Sequence, residues 1–149
     1  MSENSPIILM IDDDEHDVFL AKRIFAKHSK VVELYHSADA EAIFDDVEKI
    51  KVKKSDETHV PDFILLDINM PKVSGLLLLR RIKDSPVYRK IPIIVFTTSD
   101  VQEHVDLAYA IGASAYMVKP TAIAAYETFV KSFLDFWCGS IRRPDLTVT

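Results

Sequence analysis

The chain has 149 residues, 48% hydrophobic and 28% charged, a balance that is typical of one soluble globular domain with its own buried core. Its net charge of −5 argues against nucleic acid or an anionic membrane surface as the main partner, because both attract basic proteins. A single cysteine, Cys138, excludes an internal disulfide and a cysteine-based zinc site.

The first residues and the apolar stretches bear on where the protein works. Residues 1–6 lack the basic start and the apolar run of a signal peptide. No apolar stretch approaches the roughly 18 residues that a membrane-spanning helix needs. We therefore expect a cytoplasmic protein without a membrane segment.

The first part of the chain predicts two strand–helix units and a loop. The apolar run at 6–12 suits a strand buried on both faces, and apolar residues then recur at helical spacing over 18–28. Residues 31–36 are β-branched and aromatic and predict a second strand, with a second helix over 40–50. Residues 51–59 are polar, charged and aperiodic, which predicts a loop.

The remaining chain predicts three more strands and three more helices. Residues 62–67 and 91–99 are buried strands by composition, and a helix over 75–83 lies between them. A fifth, short strand is expected at 115–119 and a last helix after Pro120. The apolar stripe of that helix consists of Ile123, Tyr126, Val130, Phe133, Leu134 and Trp137.

The fourth helix has a predicted start and end. Asp100 and Glu103 have the spacing of a capping box, in which each side chain bonds a free backbone N–H of the first turn. Gly112 suits a left-handed residue at the end of the helix.

Strand and helix thus alternate five times, with connections too long for hairpins. This pattern predicts an α/β fold, a doubly wound five-stranded parallel sheet with five helices on its two faces. No repeat or linker interrupts it, so we expect one domain over 1–149, with a core at about 6–137 and a short tail at 138–149.

Residues able to bind a metal or an anion follow the predicted strands, at the carboxyl edge where ligands bind in such folds. They are Asp12, Asp13, Asp14, Asp67, Thr97, Thr98, Ser99 and Lys119. Carboxylates this close would repel one another unless a cation lay among them, and Mg²⁺ prefers such oxygen ligands. No His or Cys stands at these strand ends, which disfavours zinc and copper. A metal, a lysine and hydroxyl groups together suit a phosphoryl group, with Asp67 as the nucleophile.

Four segments, "MIDDDEHD", "LLDINMPKVSG", "VFTTS" and "GASAYMVKP", resemble the receiver domains of two-component response regulators in order and spacing. The resemblance covers about residues 6–137. It implies a CheY-like, flavodoxin-like fold with strand order 2-1-3-4-5 and a signalling protein rather than an enzyme, apart from self-catalysed phosphotransfer and dephosphorylation. Output would pass through protein–protein interaction.

The resemblance also implies roles for individual residues. Asp67 would accept the phosphoryl group from a histidine kinase or a phosphotransfer protein. Mg²⁺ would bind Asp12, Asp13, Asp67 and the backbone carbonyl of Asn69. Lys119 would pair with the phosphoryl group.

Two further residues would form the switch. Thr97 would bond the phosphoryl oxygens and move toward them, and Tyr116 would swing inward, although a tyrosine on a strand is more often a core residue. Thr98 stands where Ala or Gly is more usual, so we expect Asn69 and Thr98 to tune dephosphorylation. The resemblance implies a cis bond between Lys119 and Pro120.

A simpler interpretation exists for other acids near the site. Asp14 is expected to be only the N-cap of the first helix, and Glu15 and Asp17 suit the positive end of that helix. They are not expected to take part in the chemistry.

Three alternative functions compete with this interpretation. The first is a degenerate receiver that acts as a scaffold without phosphorylation. The second is a small phosphatase of the haloacid dehalogenase type, which Asp12-x-Asp14 fits superficially, but no acidic pair follows Lys119. The third, a flavodoxin-like cofactor binder, lacks a phosphate-binding loop after the first strand.

The long polar segment 51–59 and the ending "FLDFWCGSIRRPDL" resemble single-domain regulators coupled to phytochrome-type kinases. Twelve residues follow Trp137, so we expect no attached output domain.

Phe129 and Phe136 lie off the main stripe of the last helix, and a helix that is apolar on two sides packs on two sides. We expect a homodimer or partner surface formed by the fourth helix, the fifth strand and the last helix, the alternative being a simply well-buried helix.

Overall fold

A five-stranded parallel sheet forms the centre of the protein in the computed structural model, which describes residues 5–140, Pro144 and Leu146. The strands of the described residues are β1 (Ile7–Ile11), β2 (Glu33–Ser37), β3 (Val52–Lys54), β4 (Glu57–His59), β5 (Phe63–Leu66), β6 (Ile93–Thr97) and β7 (Ala115–Val118). The sheet has the order β2-β1-β5-β6-β7, all parallel. The predicted order 2-1-3-4-5 is confirmed. Most of the tail predicted at 138–149 lies outside the described residues.

Helices cover both faces of this sheet. They are α1 (Glu15–His28), α2 (Ala40–Asp45), α3 (Gly75–Lys83), α4 (Gln102–Ile111) and α5 (Ile123–Asp135), with a 3₁₀-helix at Val47–Ile50 and a π-helix at Phe136–Ser140. Strands β1, β5 and β6 are buried along their whole length, as continuous apolar runs predict. Helices α1 and α5 pack on one face, and α2, α3 and α4 on the other. Among the described helices, none has the length and apolar composition that a membrane span requires.

The segment 51–59 is a β-hairpin, so the prediction of a loop there was wrong. Strands β3 and β4 are antiparallel, and their two-residue turn places Ser55 at a positive φ of 59°. Three residues a strand are too few for periodicity to be visible among so many charges. Val52 is buried, and the Lys54 ammonium lies 2.7 Å from the Glu33 carboxylate of β2, so the hairpin is attached to the edge of the sheet.

The predicted capping box of α4 was also wrong. The helix begins one residue later than expected, with Val101 as N-cap and no side-chain cap from Asp100. The Ser99 hydroxyl takes part instead, since it accepts the N–H of Val101 at 3.4 Å and lies 2.6 Å from Nδ1 of His104. The predicted end is confirmed, because Gly112 is the C-cap with a φ of 131°.

Helix α5 buries half of its predicted stripe, and Leu134 and Trp137 of that stripe are partly buried. Tyr126, Val130 and Phe133 are buried, but Ile123, the first residue of the helix, is 55% exposed. Phe129, off the stripe, stacks on Phe96 of β6 with 4.8 Å between ring centroids. The last helix therefore uses a wider apolar face than its main stripe.

Candidate functional site

The carboxyl ends of four parallel strands bring the predicted site residues together. Ladder hydrogen bonds continue past the strands, from the N–H of Asp67 to the carbonyl of Ile11 at 3.0 Å and from the N–H of Lys119 to the carbonyl of Thr97 at 2.7 Å. Because this backbone is fixed by the sheet, the side chains of Asp67 and Lys119 start from defined positions. Both residues are buried.

Lys119 is the centre of the site. Its Nζ atom lies 2.7 Å from Oδ2 of Asp12, 3.0 Å from Oδ2 of Asp67 and 2.6 Å from Oδ2 of Asp17. The side chains of Lys119, Asp12 and Asp67 are almost fully buried. Such charges are stable inside a protein only when they are paired, so the lysine and the acids depend on one another.

Burial and pairing act in opposite directions on these groups. Burial raises the pKa of Asp12 above its ordinary value, and the hydrogen bond from Lys119 only partly offsets this. Burial would lower the pKa of Lys119, but the hydrogen bonds to Asp12 and Asp17 raise it above its ordinary value. Lys119 is therefore a permanent cation at neutral pH.

Three acids offer a place for a divalent cation. Asp12, Asp13 and Asp67 each present one oxygen, and these oxygens lie within 4.8 Å of one another. Backbone groups orient two of them, since Asp12 accepts the N–H of Asp14 and Asp67 accepts the N–H of Asn69, both at 2.9 Å. An all-oxygen set with one exposed side suits a hard ion that keeps several waters. The donor set therefore fits a divalent metal ion.

The loop after β5 approaches the site closely because Gly75 has no side chain. A Cβ atom at this position would overlap the Cα of Ile68 and the carbonyl oxygen of Asp67. The glycine therefore lets the first turn of α3 lie directly against the strand end that carries Asp67.

The hydroxyl residues after β6 have different surroundings. Thr97 is fully buried, and its hydroxyl accepts the N–H of Ser99 at 3.4 Å. Thr98 is exposed, and its hydroxyl accepts the side-chain amide of Asn69 at 3.4 Å. Asn69 is also exposed, and its own N–H donates to Asp67 at 2.9 Å, so the contact between Thr98 and Asn69 lies beside Asp67.

Tyr116 on β7 is half-buried and is tied to the same loop. Its hydroxyl donates to the backbone carbonyl of Ser99 at 2.9 Å, and its own N–H donates to the hydroxyl of Tyr109 at 3.0 Å. Its inward movement stays a prediction. The described residues contain no cis peptide bond, so the implied cis bond between Lys119 and Pro120 is not found; trans is the commoner form of such bonds.

One residue of the site was missed from the sequence. Asp17 was expected only to face the positive end of α1, yet it pairs with Lys119. Its neighbour Asp14 is the N-cap as predicted, accepting the N–H groups of His16 and Asp17 at 2.9 and 3.2 Å. The only signal for Asp17 is its place one turn into the helix that follows Asp12.

The sequence profile described as response regulator receiver domain matches residues 8–131 of this chain. This range runs from β1 into α5 and includes every strand of the central sheet. All the site residues named above lie within it.

Solved structures of response regulators are similar over almost the whole chain. The Mn²⁺-bound form of Rcp1, a protein of Synechocystis, is 27% identical with a TM-score of 0.80, covering 94% of this chain and 99% of that one. The phosphorylated cyanobacterial phytochrome response regulator RcpA is 25% identical, with the same coverage and a TM-score of 0.82. RPA3017, from red light signalling of R. palustris, is 30% identical, again with the same coverage and a TM-score of 0.81.

Proposed function

We infer the function of this chain from one premise, that it belongs to the response regulator receiver domain family of two-component signalling. Within that family we assign Asp67 as the phosphoacceptor. The observation that carries this is the position of Asp67, buried at the end of β5 with Lys119 on one oxygen and the acids Asp12 and Asp13 close by. A nucleophilic carboxylate between a cation and a metal site is what phosphoryl transfer requires.

The transfer step follows from these contacts. An oxygen of Asp67 attacks the phosphorus of a phosphohistidine, the bond from phosphorus to the donor nitrogen breaks, and the imidazole leaves with the electron pair. Lys119, already held within 3.0 Å of Asp67, donates to the phosphoryl oxygens as negative charge collects on them. Thr97 donates its hydroxyl to another phosphoryl oxygen.

Mg²⁺ is the proposed metal ion, bound by Asp12, Asp13, Asp67 and the backbone carbonyl of Asn69. The oxygen donor set supports this, as does the existence of Rcp1 in a Mn²⁺-bound form. When bound, the ion offsets the charge of the acids and of the phosphoryl oxygens. Asp12 and Asp13 would hold the ion beside Asp67.

Phosphorylation is proposed to act by a population shift. The phosphoryl group adds strongly negative charge beside Lys119 and Thr97, and so favours one of two arrangements that exist beforehand. Tyr116 is the proposed reporter, because its hydroxyl bonds the carbonyl of Ser99 in the loop that also carries Thr97. Thr98 and Asn69 contact each other beside Asp67, and we propose that they set the rate at which water removes the phosphoryl group.

The protein is proposed to act in the cytoplasm, with a histidine kinase or a phosphotransfer protein as the phosphoryl donor and protein–protein interaction as the output. Similarity to RcpA and RPA3017 supports a phytochrome-type kinase as the donor. The proposed homodimer uses α4, β7 and α5. It is supported by the exposed apolar side chains of Tyr109, Val118 and Ile123 near the β7 edge of the sheet.

The test is intact mass spectrometry after incubation with acetyl phosphate and Mg²⁺. The wild type is expected to gain one phosphate, Asp67→Ala none, and the control Asp100→Asn, an exposed acid beyond β6, one. Mapping of the phosphate to Asp12 would instead support a phosphatase of the haloacid dehalogenase type. Absence of any gain in the wild type would leave a scaffold that acts without phosphorylation.

A further inference from the structure

Among the described residues that bond Lys119, Asp17 alone lies outside the proposed metal site. Its carboxylate lies 2.6 Å from the ammonium, yet its side chain keeps 24% of its accessible surface against 1% for Asp12. Among the described residues, the acids grouped closely enough to share a metal ion are Asp12, Asp13 and Asp67. A bound cation would offset those three acids and leave Asp17 dependent on Lys119.

The three donors of the Lys119 ammonium are all used in this structure. An ammonium group has three N–H donors, and here they meet Asp12, Asp17 and Asp67. A phosphoryl group brings a charge of about −1.5 to −2 and strong acceptor oxygens. For Lys119 to donate to it, one present hydrogen bond has to be given up. The hydrogen bond from Lys119 to Asp17 is the easiest to give up. Asp17 is the most exposed of the three acids, and it stands on a helix rather than at a strand end.

Tyr126 of α5 supplies an independent observation. Its hydroxyl is buried and has no hydrogen-bond partner within the part of the chain that the structure describes. Its ring packs edge-on against Phe96 with 5.6 Å between centroids, and Nζ of Lys119 lies 6.0 Å from the centroid of that same ring. Burial is the main cause that raises the pKa of this hydroxyl, and the negative charge of Asp17 is the second cause. The hydroxyl is therefore a buried donor without an acceptor, and the Tyr126 ring contacts the same Phe96 ring that the Lys119 ammonium faces.

We propose that Asp17 is a positioning residue that exchanges Lys119 for the Tyr126 hydroxyl when Asp67 becomes phosphorylated, an inference that rests on the proposed function. In the free chain, Asp17 holds the ammonium and competes with the phosphoryl group for it. In the phosphorylated chain, Lys119 donates to the phosphoryl oxygens and Tyr126 donates to the released carboxylate. The exchange links the site to the packing of α1 against α5.

The test is calorimetric binding of beryllofluoride, a phosphoryl mimic, in the presence of Mg²⁺. Asp17→Asn removes the competing charge and is expected to bind the mimic about threefold or more tightly than the wild type. Tyr126→Phe keeps the ring and removes the hydroxyl, so it is expected to bind the mimic about threefold or more weakly. When Tyr126→Phe is combined with Asp17→Asn, it should weaken binding of the mimic less than it does in the wild type, because the two side chains interact in the proposed exchange.

Stability separates this exchange from a purely structural role. In urea unfolding without the mimic, Tyr126→Phe should be as stable as the wild type or more so, because its hydroxyl has no hydrogen bond to lose. Tyr88→Phe is the matched control, since the Tyr88 hydroxyl donates to Glu48 at 2.7 Å; it should lose stability and keep wild-type affinity for the mimic. Glu15→Gln removes a charge from the same turn as Asp17 and should also keep that affinity.

Two results would overturn the exchange while the proposed function stands. One is wild-type affinity for the mimic in Tyr126→Phe. The other is a loss of stability in mimic-free Tyr126→Phe, which would mean that the hydroxyl already has a partner. A wild type that binds no beryllofluoride and gains no phosphate would overturn the proposed function, and the exchange with it.

Discussion

The Nζ atom of Lys119 lies 3.0 Å from Oδ2 of Asp67, and both side chains are almost fully buried. The contact joins the ends of β5 and β7, which are separated by β6 in the sheet. Because Asp12 shares the same ammonium, one cation holds the ends of three strands together. The residue proposed for chemistry is therefore also a structural element of the free protein.

Replacement of Lys119 by methionine should destabilise the protein. It leaves buried carboxylates without their cation, and losing one partner of a buried pair costs about 3–5 kcal/mol. Urea unfolding measures this cost, and Mg²⁺ should restore part of it by binding the same acids. Lys27→Met, which removes an exposed lysine paired with Glu127, is the control and should cost no more than about 1 kcal/mol. An equal loss of stability in both variants, or no loss in Lys119→Met without Mg²⁺, would contradict the dependence of the buried acids on Lys119.

The proposed metal site predicts that Asp13→Asn weakens Mg²⁺ binding but does not lower the stability of the metal-free protein. Asp13 is the exposed member of the three acids, so removing its charge without metal should leave stability unchanged or slightly higher. Calorimetric titration with Mg²⁺ should show affinity weaker by about tenfold or more, because a charged ligand is lost. Asp39→Asn, an exposed acid on the neighbouring loop, is the control. Unchanged Mg²⁺ affinity in Asp13→Asn would exclude this residue as a ligand.

Thr98→Ala tests the proposed control of phosphate lifetime. The exposed threonine meets Asn69 at 3.4 Å, and the N–H of Asn69 donates to Asp67, so the smaller alanine should open a path for water to Asp67. We expect the phosphate on Asp67 to be lost several-fold faster, as measured by intact mass over time after removal of the phosphodonor. Thr128→Ala, on the exposed side of α5, should keep the wild-type lifetime. An unchanged lifetime in Thr98→Ala would show that Thr98 does not limit hydrolysis.

The attachment of the hairpin to the sheet should depend on pH. The hydrogen bond from Lys54 holds the pKa of Glu33 below its ordinary value of 4.5. A carboxyl group whose pKa is lowered by folding stabilises the protein at pH values above its unfolded-state pKa. This stabilisation is lost as the pH falls through the folded-state pKa. Glu33→Gln should therefore cost about 0.5–1 kcal/mol at neutral pH and progressively less below pH 4.5. Urea unfolding across this range measures the difference, with the exposed Glu57→Gln as control; a cost independent of pH would contradict the ion pair.

The sequence was sufficient for the part of the site that the sheet determines. Asp12, Asp67 and Lys119 stand directly after parallel strands, and the ends of such strands meet at one edge whatever the details of packing. Asp17 stands on a helix, and which way its side chain points depends on how α1 crosses the sheet. That angle follows from packing against α5, which no local pattern in the sequence expresses.

The same distinction explains the errors in the fold. Long apolar runs and helical stripes persist over many residues, so the strands of the sheet and four of the helices were predictable. The helix expected over 40–50 instead ends at Asp45 and is followed by a separate 3₁₀-helix at Val47–Ile50. The hairpin at 52–59 depends on a two-residue turn and on the pairing of Lys54 with Glu33, a residue far away in sequence. The start of α4 was decided by the Ser99 hydroxyl and its contact with His104 rather than by Asp100.

The proposed homodimer predicts that a charge on its surface separates the protomers. Ile123 is 55% exposed at the start of α5, where an aspartate is compatible with the helix, so Ile123→Asp should keep the fold and weaken association. Sedimentation equilibrium with and without beryllofluoride and Mg²⁺ measures the change. Leu77→Asp is the matched control, because Leu77 is 56% exposed on α3, outside the proposed surface, and should leave association unchanged. A wild type that stays monomeric at high concentration under both conditions would exclude the dimer, and equal weakening by both variants would exclude this surface.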